Sequence, residues 1–450
     1  MKTRTIIISD LHLGGGEFDP GDDHVYQGGQ LRSFVSELTA SDEGQRGAIE
    51  LYINGDFLEF AQTRQDAYQG KDPGFWCSEA ESMQKLSAVL EGHAAIFDAL
   101  RTFIEADNAV TIAAGNHDVD LYWTKVQDEL RRRVHPALAF ELGSEWVERH
   151  GGRLQIAHGH IPDPANTFLH WDDPRLPDDD GTIRLEMCPG TLFMVKVVNA
   201  LERDYPFADN VHPIQSFANM LARQDTMGFY PVAWSFLRFA TRHPLIMAKE
   251  RDRYGEWLLG RVIREDDLAL ALCTAVQAED APPLSIEALR NSLGSEDDLA
   301  GFILENWSRL QAAGVTSRLE PESSNVLGDA GANTLGKIAK GGKFDKESLQ
   351  LAARNRAAFH EQTEVMVMGH THIPDDCAVT HKAWYYNPGS WTRYVDLEAH
   401  PGVKLADLGK EASFPYSLKY VRVDAPGDGG PLVSSLETFD EQAADFRPAS

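Results

Sequence analysis

At 450 residues the chain exceeds what one ordinary hydrophobic core organises, so two domains, or one domain with a large insertion, are expected. Its hydrophobic and charged fractions, 42% and 25%, are those of a soluble globular protein, and no window approaches the roughly 18 to 20 uninterrupted apolar residues that span a bilayer. A net charge of −27 repels polyanions and anionic lipid, which argues against strong non-specific binding to nucleic acid or to membranes. Small phosphorylated substrates stay compatible with that charge, because bound cations dominate the field inside a site.

The start, Met1-Lys2-Thr3-Arg4, runs into an apolar stretch without the features of a signal peptide. Cys77, Cys188, Cys273 and Cys377 lie far apart with no CxxC pair, as expected of reduced thiols in a cytoplasmic protein.

Thr5-Ile6-Ile7-Ile8 reads as a buried strand that stops at Ser9-Asp10-Leu11-His12. Ile49 to Ile53 reads the same way before Asn54-Gly55-Asp56. Leu86, Val89, Leu90, Ala94, Phe97 and Leu100 recur at helical spacing. Ala109 to Ala113 is a further strand, before Gly115-Asn116-His117-Asp118, and Leu154 to Ala157 another, before His158-Gly159-His160. From Ile161 to about Phe359 the rhythm breaks into helical patterns: Leu192 to Leu201, Val232 to Arg242, Trp257 to Ile263, and Ile303, Trp307 and Leu310. Val365 to Met368 resumes the strand pattern before Gly369-His370-Thr371-His372. Strands alternating with helices predict an α/β core in two parts, 1–160 and 359–425, around a helical insertion at 161–358. The Gly/Pro/Ser-rich, acidic stretch 426–450 reads as a flexible tail, and Gly328 to Gly342 as a mobile loop.

Five strand ends thus finish in metal-binding residue types, where open α/β sheets place their ligands. Gly55, Gly115, Gly159 and Gly369 allow the sharp turns such a site needs. Singly, each cluster has an ordinary reading as a turn or a helix cap. Together and in this order they point to a metal centre. Carboxylates, imidazoles and a neutral amide, without a thiolate, suit Mn²⁺, Fe or Zn²⁺.

The ordered set Asp-x-His, Gly-Asp, Gly-Asn-His-Asp, His-Gly-His and Gly-His-Thr-His resembles the motif set of the calcineurin-like metallophosphoesterases, over residues 1 to about 160 and 360 to about 425. The resemblance implies a four-layer α/β/β/α sandwich holding two divalent metal ions, Mn²⁺ foremost. One ion would be held by Asp10, His12, Asp56 and His372, the other by Asp56, Asn116, His158 and His370, with Asp56 bridging. Such a pair turns a bridging water into a nucleophile and clamps the phosphoryl oxygens. His117 would stabilise the transition state or protonate the leaving oxygen, with Glu59 orienting its ring; His160 matches no ligand.

Phe60 stands where the family's protein Ser/Thr phosphatases carry Arg, which argues against that activity. Ser9 to Leu13, Gly55 to Glu59 and the helical insertion resemble the branch containing UDP-2,3-diacylglucosamine pyrophosphohydrolase. That branch, however, has Arg where this chain has His117. The implied reaction is hydrolysis of a small nucleotide- or lipid-linked phosphodiester or pyrophosphate. A nuclease and a non-catalytic scaffold are the alternatives. The aromatic stretch Phe229, Trp234, Phe236, Leu237 and Phe239, with Arg238 and Arg242, packs the insertion's own core or forms a lid over substrate. Gly331 to Lys337 imitates a P-loop, but Ile338 replaces the metal-binding Ser or Thr. The acidic run from Asp172 to Asp180 lacks calcium-loop spacing.

Overall fold

The structure is a computed structural model. It describes residues 2–16, 29–63, 77–163, 166–178, 181–195, 261–276, 284–293, 346–392 and 417–439, with a few short pieces and single residues elsewhere. Two mixed sheets organise them. The first has seven strands in the order β12-β11-β10-β1-β2-β3-β4. Here β1 is Arg4–Ile8, β2 Ile49–Asn54, β3 Ala109–Ala113, β4 Ala139–Glu141, β10 Lys419–Asp424, β11 Val433–Thr438 and β12 Arg447–Pro448. Strands β1 to β4 run parallel, while β10 closes antiparallel on β1. The second sheet has the order β8-β9-β7-β6-β5, with β5 Val147–Arg149, β6 Leu154–Ile156, β7 Val365–Val367, β8 Asp375–Ala378 and β9 Trp384–Asn387.

The near-continuous apolar character of β1 has a cause, since both of its faces are buried. Ile6 and Ile8 join Leu51, Ile53, Val110 and Ile112 against the helices Gly29–Ala40, Ala94–Glu105 and Thr124–Arg133. Ile7, between them, turns the other way with Tyr52, Val421 and Val423. It enters a cluster that also holds Leu154, Ile156, Val365 and Val367 of the second sheet. Apolar faces of the two sheets therefore meet in one core. Met366 and Tyr385 point away from that core and pack on Leu349, Ala352, Ala353 and Ala357 of the helix Lys346–Phe359. All but the last residue of this helix lies within the range 161–358 read as insertion.

The tail expectation needs correction. Val433–Thr438 is no flexible segment, because it pairs with β10 over its whole length. Phe439 follows it into a ring cluster, 5.3 Å from Phe34 and stacked on Trp391 at 6.2 Å between centroids. The glycine and proline residues at 426–430 form the turn that precedes this strand, with Gly429 at φ 76°. Composition flagged the turn and hid the strand behind it.

Much of the expected insertion falls outside the described residues. That holds for Val232 to Arg242, for Gly328 to Gly342 with the P-loop-like stretch, and for most of Leu192 to Leu201, Trp257 to Ile263 and Ile303 to Leu310. The described helices Asp266–Val276 and Ile286–Ser292 share a separate core through Leu268, Leu272 and Leu289. No helix among the described residues is long and apolar enough to cross a membrane.

Candidate metal centre

The loops after β1, β2, β3, β6 and β7 converge, because those strands carry their clusters at their carboxyl ends. Three groups place ligand atoms within 4.8 Å of one another: Asp10, His12 and His372; His12, Asp56 and His117; Asp56, His158 and His370. Residues up to 362 positions apart in sequence thereby share one pocket of donors.

The backbone at the site is strained in a consistent way. Asp10, His12, Asp56, His370 and His372 have φ between 46° and 70°. They are five of the eight non-glycine residues with positive φ among the described residues. Such conformations cost free energy and persist where the surroundings impose them, commonly at functional sites. Gly115 is required for a different reason: a Cβ there would run into Asp56 Oδ1.

His12, His117, His158 and His370 each place one ring nitrogen on an acceptor. His12 Nδ1 and His117 Nδ1 both lie on Glu59 Oε2, at 2.8 and 2.6 Å. Burial raises the Glu59 carboxyl, but the charge of His117 and its hydrogen bonds outweigh that and hold it down at about 2. A carboxylate can only accept, so both Nδ1 atoms carry the proton. In neutral His12 this leaves the lone pair on Nε2, which faces His372 Nε2 at 3.1 Å. His158 Nδ1 donates to the Asn54 carbonyl at 2.8 Å, so its Nε2 faces Asp56 Oδ2 at 3.2 Å. His370 places Nε2 on Asp163 Oδ2 at 2.9 Å. Metal-binding histidines typically donate their other N–H to a carboxylate or carbonyl in this manner.

The acceptors fit as well. Asp10 and Asp56 are 0% and 1% exposed, and the cationic groups in ion-pair range of them among the described residues are histidines, not Lys or Arg. Burial pushes the Asp10 carboxyl up. Burial acts on Asp56 too, but His158 and His117 overcome it and hold that carboxyl well below its usual range. His158 gives the complementary result, since Asp56 and Asp10 raise it to about 9 against its burial. Asn116 is buried, and its Oδ1 has no hydrogen-bond partner while its Nδ2 donates to Asn166 at 3.3 Å. A buried amide oxygen without a donor is costly, and a cation would satisfy it. The buried carboxylate and imidazole atoms can therefore hold a metal ion.

Several contributors lacked a sequence signal. Asp118, readable only as a possible cap, accepts from the backbone of Gly115, Phe57 and Leu58 at 2.6, 2.8 and 3.4 Å, tying the β2 and β3 loops together. Its carboxyl is pushed up to about 7 by burial and by Asp56. The support that Asp163 gives His370 and that Glu59 gives His12 arises only through space. His160 is buried against Trp171 at 4.3 Å between ring centroids, and burial holds its pKa well below the ordinary value. Comparison of the chain with models of known protein families and with curated proteins finds no match.

Proposed function

We propose that this chain is a two-metal phosphoester hydrolase of the calcineurin-like metallophosphoesterase kind, acting on small phosphodiesters or pyrophosphates. The observation that carries the reading is the convergence of Asp10, His12, Asp56, His158, His370 and His372, with three of the four rings braced from behind and the Asn116 amide oxygen buried without a hydrogen-bond partner. Two sheets meeting through one core, with helices on their outer faces, fit the four-layer α/β/β/α sandwich.

On this reading Asp10, His12, Asp56 and His372 hold one divalent ion, and Asp56, Asn116, His158 and His370 hold the other. Mn²⁺ is the first choice, with Fe or Zn²⁺ as alternatives. Bound ions of this type supply Lewis acidity and a hydroxide nucleophile at neutral pH. The chain's own part is positioning and proton handling. Glu59 and Asp56 outweigh the burial of His117 and raise its pKa to about 10. With Nδ1 pinned on Glu59, the imidazolium offers Nε2–H to the oxygen that departs. The backbone N–H of His117 donates to Asp56 Oδ1 at 2.8 Å, so acid and bridging carboxylate keep a fixed relation.

The test is a substrate panel with Mn²⁺: p-nitrophenyl phosphate, bis-p-nitrophenyl phosphate, a nucleoside diphosphate sugar and plasmid DNA. Turnover is expected on the diester and the pyrophosphate and is abolished by EDTA, with DNA left intact. Inertness toward every member with Mn²⁺, Fe²⁺ and Zn²⁺ overturns the proposal, and efficient DNA cleavage replaces it with a nuclease.

A further inference from the structure

A second pocket adjoins the candidate centre, lined together by Asn116, His117, Lys85, Asp120, Phe168 and Met187. Two of these residues belong to the site described above, while Lys85 reaches the pocket from the helix Glu79–Gly92. That helix is set by Ser78, whose backbone N–H donates to Glu81 Oε2 at 3.0 Å in a capping box. Its inward face buries Ser82, Lys85, Leu86 and Val89, so a lysine occupies a position where the spacing calls for an apolar residue.

Lys85 is 3% exposed, its Nζ 2.9 Å from Asp120 Oδ1 and 5.4 Å from the centroid of the Phe60 ring. The same Asp120 oxygen also accepts from Ser82 Oγ. A buried ion pair is weak evidence of stabilisation, because desolvation offsets the attraction and an apolar pair of similar volume commonly does as well. An ammonium brings three donors, and a single shared carboxylate oxygen and an aromatic face leave it capacity for another acceptor. Lys85 and His117 line this same pocket.

We propose that Lys85 forms a subsite for an anionic oxygen of the leaving group, which makes the favoured substrate one whose leaving group carries its own phosphate. This rests on the hydrolase reading above, in which His117 faces the departing oxygen. Water oxygen forms a bond to one phosphorus, and the bond from that phosphorus to the bridging oxygen breaks. The electron pair leaves on the bridging oxygen of a phosphate monoester, and the water proton passes to solvent. A monoester leaving group is anionic and needs little protonation, so a fixed cation beside it does what a proton donor does for an alkoxide. Phe168 and Met187 give the same pocket an apolar wall for the organic part of that group.

The experiment compares kcat/KM for a nucleoside diphosphate sugar with that for bis-p-nitrophenyl phosphate, whose leaving group has no phosphate. Lys85→Met is expected to lower the ratio of the two at least tenfold, and Lys85→Arg to restore most of it. Lys125→Met removes a solvent-exposed lysine and leaves the ratio unchanged. Should Lys85→Met fold poorly with Asp120 stranded, the double variant Lys85→Met/Asp120→Asn removes the unpaired charge and predicts the same lowered ratio. Equal losses on both substrates, or an unchanged ratio, overturn the proposal. If the unaltered protein turns over neither substrate, the hydrolase reading has failed. Calorimetric binding of AMP with Mn²⁺ present then decides the subsite separately: a tenfold weaker Kd in Lys85→Met supports it, and an equal Kd refutes it.

Discussion

Asp56→Asn is expected to lower turnover about 10³-fold or more, further than the same change at Asp10. The amide preserves shape and keeps an oxygen to accept the His117 backbone N–H, now at 2.8 Å. What it removes is the negative charge shared by both proposed ions. Metal-centred stabilisation of the transition state is worth several kcal/mol, and each 1.4 kcal/mol is tenfold in rate. Asp10 faces one proposed ion only, so Asp10→Asn should leave the other in place. Steady-state kinetics on bis-p-nitrophenyl phosphate compares the two variants. Near-normal turnover in Asp56→Asn contradicts the bridging role.

His117→Ala should separate binding from chemistry. General acid catalysis contributes typically 10² to 10⁴-fold, so kcat should fall by that order on a diester with an alkoxide leaving group, at nearly unchanged KM. The loss should shrink for p-nitrophenolate or a phosphate monoester, which depart without a proton. A loss independent of the leaving group means that His117 stabilises charge instead of donating. Glu59→Gln is expected to act more mildly and to show itself in pH dependence. Removing the carboxylate brings His117 down from about 10 toward its ordinary range, so the alkaline fall of kcat/KM moves to lower pH. The stability of the metal-free protein follows the same pair. The folded pKa of His117 is raised, so its contribution is full below about 6.5 and is lost as pH rises toward 10. Glu59 is depressed, so its contribution is full above about 4.5 and is lost as pH falls toward 2. Glu59→Gln should flatten both flanks in urea titrations run across pH.

The legible part of this chain was what periodicity and strand ends encode. The β1, β2, β3, β6 and β7 strands and the residue clusters after them stand where the apolar runs predicted, because a strand buried on both faces must be apolar almost throughout. Six of the expected ligand residues, Asp10, His12, Asp56, His158, His370 and His372, fall in groups whose donor atoms lie within 4.8 Å of one another. The rest was hidden for physical reasons. Glu59 was expected, from the resemblance, to orient His117, but its bond to His12 and the grip of Asp163 on His370 join residues 47 and 207 positions apart. No local pattern encodes such a contact. Val433–Thr438 was masked by the glycines and prolines of its own turn and carries polar residues along an edge-side strand. Lys85 shows the reverse case, a charged residue whose burial becomes evident only once Asp120 is seen beside it.

Elemental analysis of the intact chain, loaded with Mn²⁺ and freed of excess metal, tests the central claim most directly. Two ions per chain, falling to one or none in Asp56→Asn with parallel loss of turnover, is the result predicted. A chain that retains only trace metal, whatever its activity in EDTA, contradicts the account.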